Sequence, residues 1–424
     1  MDAAPRESVH GSVTGRRRKD MPPWSRRQFL RAGVGAGLAL AAPELWAHRR
    51  RTKKVIWLWM DGGMCQAHTW DPKPAHKLGC QVKSIDTSVP GIQVSEMLPL
   101  CAAQMAHLNL LRSVSHGLAH HDLATRLMHG EEPLSPMTEA APVGTILSSG
   151  LGARGFPLPP HVSMGGPTLR ESRVFGDDYC PFLVGGGMTP IPNLRRNVDS
   201  QRDASRAALL LEQNREWDAT RQQAEVQRVG SAYVKSEELM STTLLKAFDY
   251  SAEPAELRKE YGEGFGQHCL VARRLVEAGC PFVEIGLKGW QRHGFYNSTY
   301  ERLVAVLDQG LGTLIKDLAG KGLLSDTVVV CATEFGKPPQ SKADSNDYWT
   351  GSFSVVLAGG YLRGGTVLGD TGPDGMGGKP PIPVKDLLAT IYCACGLDWE
   401  MEYRTESLRK KPVALGGKPL IDLF

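Results

Sequence analysis

The chain has 424 residues, with 42% apolar and 22% charged content and 49 Lys/Arg against 45 Asp/Glu. That length gives an ample core for one large α/β domain or two smaller ones. No run of 18 or more apolar residues occurs, so no transmembrane helix and no stable membrane span are expected. The near-neutral balance carries no basic face of the kind nucleic acid requires.

The first 47 residues read as an address rather than as fold material. Arg16-Arg17-Arg18-Lys19 opens a basic region, Ser25-Arg26-Arg27-Gln28-Phe29-Leu30 follows, then a weakly apolar run Ala32–Ala42, Pro43 and a small-residue cleavage site at Ala47. This order is that of a twin-arginine export signal, which a translocase recognises. The expected destination is the periplasm or the extracellular space. Gly33-Val34-Gly35-Ala36-Gly37 is similar to a dinucleotide-binding loop, but no strand precedes it and it lies inside the signal, so it is set aside. Residues 1–47 hold eight Lys/Arg and four Asp/Glu, which is the whole +4 of the chain; the remainder balances at 41 of each. Residues 48–424 are expected to form a single domain.

Val55–Met60 is a continuous apolar run of strand length, ending in Asp61-Gly62-Gly63. Paired glycines after a strand indicate backbone bending or close approach. Asp61 is either a turn cap or a ligand at the carboxyl end of a sheet, where ligands of open α/β sheets bind. Pro90–Leu108 predicts a turn and an amphipathic helix with Pro99 in its first turn and Leu98, Cys101, Met105 and Leu108 on its apolar face. Asn109–Val114 predicts a strand, and a His-rich link, His116 to His121, opens a helix over Asp122–Gly130. A short helix is expected at Gly144–Ser149, and loops around short strands over Gly150–Pro192.

Gln201–Asp249 reads as strongly helical, with Ala207, Leu210, Leu211 and Trp217 as its apolar set. Ala255–Ala278 predicts a second helix, ended by Gly279. Strands are expected at Pro281–Leu287, Leu324–Cys331 and Phe353–Leu357, and helices at Tyr300–Gly320 and Val384–Ala394. Strands alternating with helices imply a mostly parallel sheet covered on both faces. Nine cysteines make an odd count without a CxxC pair; Cys331 and Cys393 read as small core residues, and any bridge is left unassigned.

Polar clusters follow the apolar runs. Asp61 follows the first, His120-His121-Asp122 the second, Trp290-Gln291-Arg292-His293 a third, and Glu334 a fourth. Asn346-Asp347-Tyr348-Trp349 precedes Phe353. In a parallel sheet such points converge on one crevice, and carboxylates with imidazoles there suit a divalent metal. Arg292 and Lys337 either balance these carboxylates or hold a sulfate or phosphate. Glu334, a lone acid ending the VVVC strand, is the sharpest candidate. His68 and His76 read as surface-loop residues, His116 and His129 as helix-edge residues.

The segments GGMCQAHTWDPKP, LLRSVSHGLAHHDLATRLMHG, YGEGFGQHCLVARRLVEAGCPFVEIGLKGWQRHG, LSDTVVVCATEFGKPP, SNDYW, LLATIYCACGLD and GGKPLIDLF resemble the DUF1501 family, related to the alkaline phosphatase and sulfatase superfamily. The resemblance implies an alkaline-phosphatase-like three-layer α/β sandwich with metal ligands after the strands. By that resemblance Asp61, His293, Glu334 and Asp347 would hold zinc, manganese or calcium, and Arg292 and Lys337 would grip the substrate. The family's Trp-Asp-Thr-His-Gly stands here as Trp290-Gln291-Arg292-His293-Gly294, and its Arg-Asp-His-Trp as Asn346-Asp347-Tyr348-Trp349. Gln291 and Tyr348 thus replace an Asp and a His; Gln offers an uncharged oxygen, and Tyr is a poor zinc ligand near neutral pH. Counting back ten residues from Gly130, the superfamily's nucleophile position falls on His120, beside His121, with Ser113 and Ser115 off the register. No Cys-x-Pro-x-Arg occurs, so formylglycine chemistry is not expected.

Three readings follow. The first is a metal-dependent hydrolase of phosphate or sulfate esters, acting on an anionic small molecule or glycan ester. The second is a catalytically degenerate binding protein for anionic glycans or an exported partner. The third, a glycosidase using Asp61 and Glu334, goes against the resemblance.

Overall fold

A computed structural model describes residues 54–74, 82–133, 140–153, 155–167, 174–185, 194, 198–221, 224–291, 298–338, 348–405 and 407–424. Among these residues the strands are β1 (Lys54–Asp61), β2 (Ser84–Asp86), β3 (Gln93–Ser95), β4 (Leu108–Ser115), β5 (His161–Met164), β6 (Phe182–Val184), β7 (Phe282–Lys288), β8 (Thr327–Ala332), β9 (Phe353–Gly359), β10 (Thr366–Leu368), β11 (Ile382–Pro383), β12 (Glu402–Arg404) and β13 (Lys410–Pro412).

A nine-stranded sheet runs β10-β4-β9-β8-β1-β7-β5-β6, with β11 also pairing β4. β1 sits at its middle, parallel to both β7 and β8. Its alternating side chains supply two cores. Ile56, Leu58 and Met60 join one with Cys101, Leu270, Leu307 and Leu314, while Val55, Trp57 and Trp59 join the other with Ile146, Leu147, Leu388 and Ile391. Strand period 2 sends successive residues to opposite faces, so helices Phe265–Glu277 and Ser298–Gly320 cover one face, and helices Val143–Leu151 and Val384–Ala394 cover the other. The architecture is an α/β sandwich of three layers around a mostly parallel sheet, as the alternation of strand and helix signals implies.

β9 runs antiparallel to both its neighbours, β8 and β4. The pattern of apolar residues carries no strand direction, so this was invisible in the sequence. The consequence is functional. β8 runs up to the carboxyl edge and β9 starts back from that same edge, so the residues just after β8 and those just before β9 meet there. A two-residue pairing joins them, with Gly336 N–H donating to Trp349 C=O and Trp349 N–H to Gly336 C=O, both 2.9 Å.

Several element boundaries differ from expectation. Ala255–Ala278 is two helices, Ala255–Tyr261 and Phe265–Glu277, because Gly262 and Gly264 between them adopt φ of +79° and +59°, which a right-handed helix does not accommodate. Pro90–Leu108 holds β3, a five-residue α-helix, Pro99–Ala103, with Pro99 in its first turn, and a 3-10 turn at Met105–His107; the helix's amide end is capped from outside by Asp308, which accepts from Leu100 and Cys101 N–H at 3.0 and 2.8 Å. Gln201–Asp249 divides into helices Ser200–Arg221 and Ala224–Ser241 and a 3-10 turn, and its expected apolar stripe stays half-buried at Ala207 and Leu210 and exposed at Leu211. Cys331 is buried and Cys393 half-buried; the eight cysteines within the described residues are free thiols. No described helix is long and apolar enough to cross a membrane.

Candidate functional site

β1 and β8 lie side by side, and both end at one edge. Asp61 closes β1, and Gly62 and Gly63 follow with φ of +123° and +94°. The close approach that paired glycines suggest is present at both. A Cβ on Gly62 would lie 2.1 Å from the Gln291 amide nitrogen, and one on Gly63 would lie 2.9 Å from the Phe335 ring. The Trp290-Gln291 turn after β7 and the Thr333–Lys337 loop after β8 therefore pack directly on the backbone that follows Asp61.

Glu334 is completely buried at this junction. Its Oε1 accepts from the Gly62 N–H at 2.9 Å and lies 2.6 Å from His121 Nδ1. Its Oε2 is 3.1 Å from the Thr333 hydroxyl, which accepts from Met64 N–H at 3.2 Å and shares its one proton with the Met60 carbonyl at 2.8 Å. A buried carboxylate needs such partners. His121 meets it because helix His121–Met128 begins there, immediately after the link from β4.

With Nδ1 on a carboxylate oxygen, a neutral His121 carries its proton on Nδ1 and leaves Nε2 as the basic atom. Its ring packs tilted on Phe335 and edge-on to Tyr348, each at 4.9 Å between centroids. The Glu334 main chain is held separately. His116 Nδ1 accepts from Leu118 N–H at 3.1 Å, so Nε2 bears the hydrogen and donates to the Glu334 carbonyl at 2.6 Å. Burial lowers the His116 pKa, which keeps this neutral tautomer.

Asp61 is half-buried, and burial first, then the Glu334 charge, raise its pKa. Two carboxylates sharing one edge repel each other, and a divalent cation relieves that repulsion. The donor chemistry of Asp61 and Glu334 therefore fits a hard or borderline cation, while His121 is engaged as the hydrogen-bond partner of Glu334. Within the described residues no group of three or more His, Cys, Asp or Glu side chains gathers as a metal cluster. Two of the expected ligands, His293 and Asp347, and the expected anion-binding Arg292 lie outside the described residues.

Lys337 is buried, and its Nζ donates to the Gln291 carbonyl at 3.3 Å, joining the loops after β7 and β8. His120 is the exposed N-cap of the helix that carries His121, with no side-chain cap bond. Thr333 and His116 were not singled out as site residues. Thr333 had no sequence signal beyond its place before Glu334, and His116 was read as a helix-edge residue. His68, read as a surface-loop residue, is buried, and burial lowers its pKa to about 4. His129, read as a helix-edge residue, is also buried, paired with Glu284. Both corrections share a cause: the segments around β1 and β4 are covered by elements distant in sequence. His76 lies outside the described residues.

These features define an α/β sandwich with a cluster of polar groups at the carboxyl edge of its parallel strands. The chain belongs to the family described as "Protein of unknown function (DUF1501)", whose model matches residues 52–424. Solved structures similar to the chain include the PsFucS1 sulfatase from Pseudoalteromonas sp., at 13% identity over 89% of this chain and 72% of that one, with a TM-score of 0.39. A protein in the alkaline phosphatase superfamily from Vibrio parahaemolyticus matches at 11% identity over 87% and 69%, with a TM-score of 0.39. The phosphonate monoester hydrolase SpPMH from Silicibacter pomeroyi matches at 11% over 87% and 76%, with a TM-score of 0.37. No curated protein matches the chain.

Proposed function

We propose that this DUF1501 protein is an exported, metal-dependent hydrolase of phosphate or sulfate esters. The observation that carries the reading is Glu334, fully buried yet aimed at the end of β1, where it meets Gly62 N–H and His121 and acts on the charge of Asp61. A divalent cation held by Asp61 and Glu334, with His293 and Asp347, would polarise the ester oxygen and lower the pKa of a bound water. The protein's own groups do the rest. Glu334 orients the His121 ring through Nδ1, leaving Nε2 either to accept a proton from the water that displaces the ester's alcohol, or to displace that alcohol itself and form a covalent histidine intermediate that water then hydrolyses, freeing the imidazole. Lys337, with Arg292, supplies positive charge for the anionic group of the ester. Phe335 and Tyr348 wall the His121 ring and limit water around it. The twin-arginine segment delivers the folded protein through its translocase to the periplasm or the extracellular space.

A second reading is favoured by one observation. Tyr348 stands where the family pattern has a His, and its ring packs on His121 and Phe335, 4.9 and 4.6 Å between centroids, as an aromatic neighbour. A protein altered in this way would keep the crevice as a binding site for anionic glycans or an exported partner without turning them over.

Metal analysis of the purified full chain separates the readings, followed by assay with an aryl phosphate and an aryl sulfate. The hydrolase reading expects stoichiometric zinc, manganese or calcium, lost in Glu334→Ala, and turnover of one ester that falls at least about a hundredfold in His121→Ala. Bound metal without turnover supports the binding protein. A protein with no affinity for any of the three cations sinks the hydrolase.

A further inference from the structure

A second titratable cluster lies beneath the sheet, inside the protein and away from the crevice. His129 is 1% and Glu284 2% exposed. His129 caps the carboxyl end of helix His121–Met128, whose first residue stands in the crevice. Its Nδ1 lies 2.7 Å from the Thr125 carbonyl oxygen, and its Nε2 lies 2.9 Å from Glu284 Oε1. A carbonyl oxygen accepts and never donates, and an ionised carboxylate does the same. An imidazole with an acceptor at each nitrogen needs a hydrogen on both, which makes it a cation.

The surroundings suit that charge. The indole rings of Trp57 and Trp59 lie 5.4 and 4.6 Å from the imidazole, centroid to centroid, within the range of cation–π attraction. A helix carboxyl end favours a cation. The other charged and titratable groups facing the pair are Glu131, itself paired with Arg126 at 2.8 Å, and His161 on β5, which burial keeps neutral with a pKa of about 4. Ser163 approaches the second Glu284 oxygen at 3.5 Å, and a Cβ on Gly166 would lie 2.8 Å from that same oxygen. The carboxylate is thus boxed in on every side.

Glu284 belongs to β7, directly opposite Trp57 of β1 and Ser163 of β5. β7 leads into Trp290 and Gln291, which pack on Gly62. We infer that His129 is a permanently protonated imidazolium at neutral pH, and that its pair with Glu284 is a positioning clamp tying the helix that carries His121 to the strand that carries the opposite crevice wall. The clamp requires no particular chemistry in the crevice. Burial by itself pulls the His129 pKa down, but the Glu284 hydrogen bond and charge carry it above the ordinary range. Breaking such a pair on one side leaves an unmatched buried charge.

The test is side-chain nitrogen NMR of the full chain labelled with 15N-histidine, read from about pH 6 to about pH 8, where an ordinary imidazole loses its proton. One imidazole is expected to keep both nitrogens protonated at the upper end; that signal is absent in His129→Gln and reverts to a singly protonated pattern in Glu284→Gln. Backbone amides of residues 121–128 are expected to exchange on the order of tenfold faster in Glu284→Gln, while those of the distant helix Val384–Ala394 stay unchanged. If every imidazole of the wild type is singly protonated at the upper pH, the imidazolium is overturned, whether or not either variant folds. If the doubly protonated signal survives in His129→Gln, or exchange at 121–128 is unaffected by Glu284→Gln, the clamp is overturned. Neither readout uses metal or substrate, so failure here leaves the hydrolase reading standing, and the reverse holds too.

Discussion

His121 Nδ1 and Glu334 Oε1 lie 2.6 Å apart although 213 residues separate them in the chain. The contact exists because β4 and β8 end at the same edge of one sheet. The helix after β4 starts with His121, and the loop after β8 starts with Thr333 and Glu334. Each side chain arrives by the shortest route its strand allows, and the Gly62 amide between them fixes the carboxylate.

Removing that carboxylate separates two kinds of loss. Glu334→Gln keeps an oxygen for the Gly62 N–H and loses charge-assisted bonds, at a cost of about 1–3 kcal/mol. Glu334→Ala leaves the Gly62 N–H and His121 without their partner, while the Thr333 hydroxyl keeps the Met60 carbonyl, at about 3–5 kcal/mol. Urea denaturation without added metal should rank Ala well below Gln. Equal losses would mean that the hydrogen bonds of Glu334 contribute little to the fold.

The two glycine turns offer a sharper contrast. Gly62 and Gly91 both have positive φ, +123° and +81°, but a Cβ on Gly62 meets backbone at 2.1 Å while one on Gly91 meets nothing within 4 Å. Gly91→Ala should cost only conformational strain, about 1 kcal/mol. Gly62→Ala adds displacement of the Trp290-Gln291 turn and should cost more than about 3 kcal/mol. Thermal melts of the two variants check the difference, and similar melting points would show that this turn yields easily.

Acid sensitivity should come partly from His161. Burial lowers its pKa from 6.5 to about 4, so between those values the unfolded chain binds a proton that the folded chain refuses. Its neutral form therefore contributes stability that is complete above pH 6.5 and is lost as pH falls toward 4, about 3 kcal/mol at most. His68, lowered to about 4 by the same cause, acts over the same window. His161→Phe should flatten part of the decline in denaturation free energy from pH 6.5 to 4, the remainder belonging to His68, His116 and His268, whose pKa burial also lowers. An unchanged slope would assign the decline to other groups.

The sequence by itself determined the parts that depend on local pattern. The apolar run Val55–Met60 is the fully buried central strand, the helix Val384–Ala394 stands within its expected bounds, and the glycines after Asp61 mark a real close approach. Period, length and the steric freedom of glycine are properties of neighbouring residues, so they can be read along the chain. Strand direction and side-chain partnership are not. That β9 turns back, that His116 holds the Glu334 carbonyl, and that His129 lies buried against Glu284 are contacts across 155 residues or more, apart from the direction of β9 itself. Only the tertiary structure decided them, because whether a histidine is a surface residue, a tether or a buried cation depends on which distant strand is packed against it.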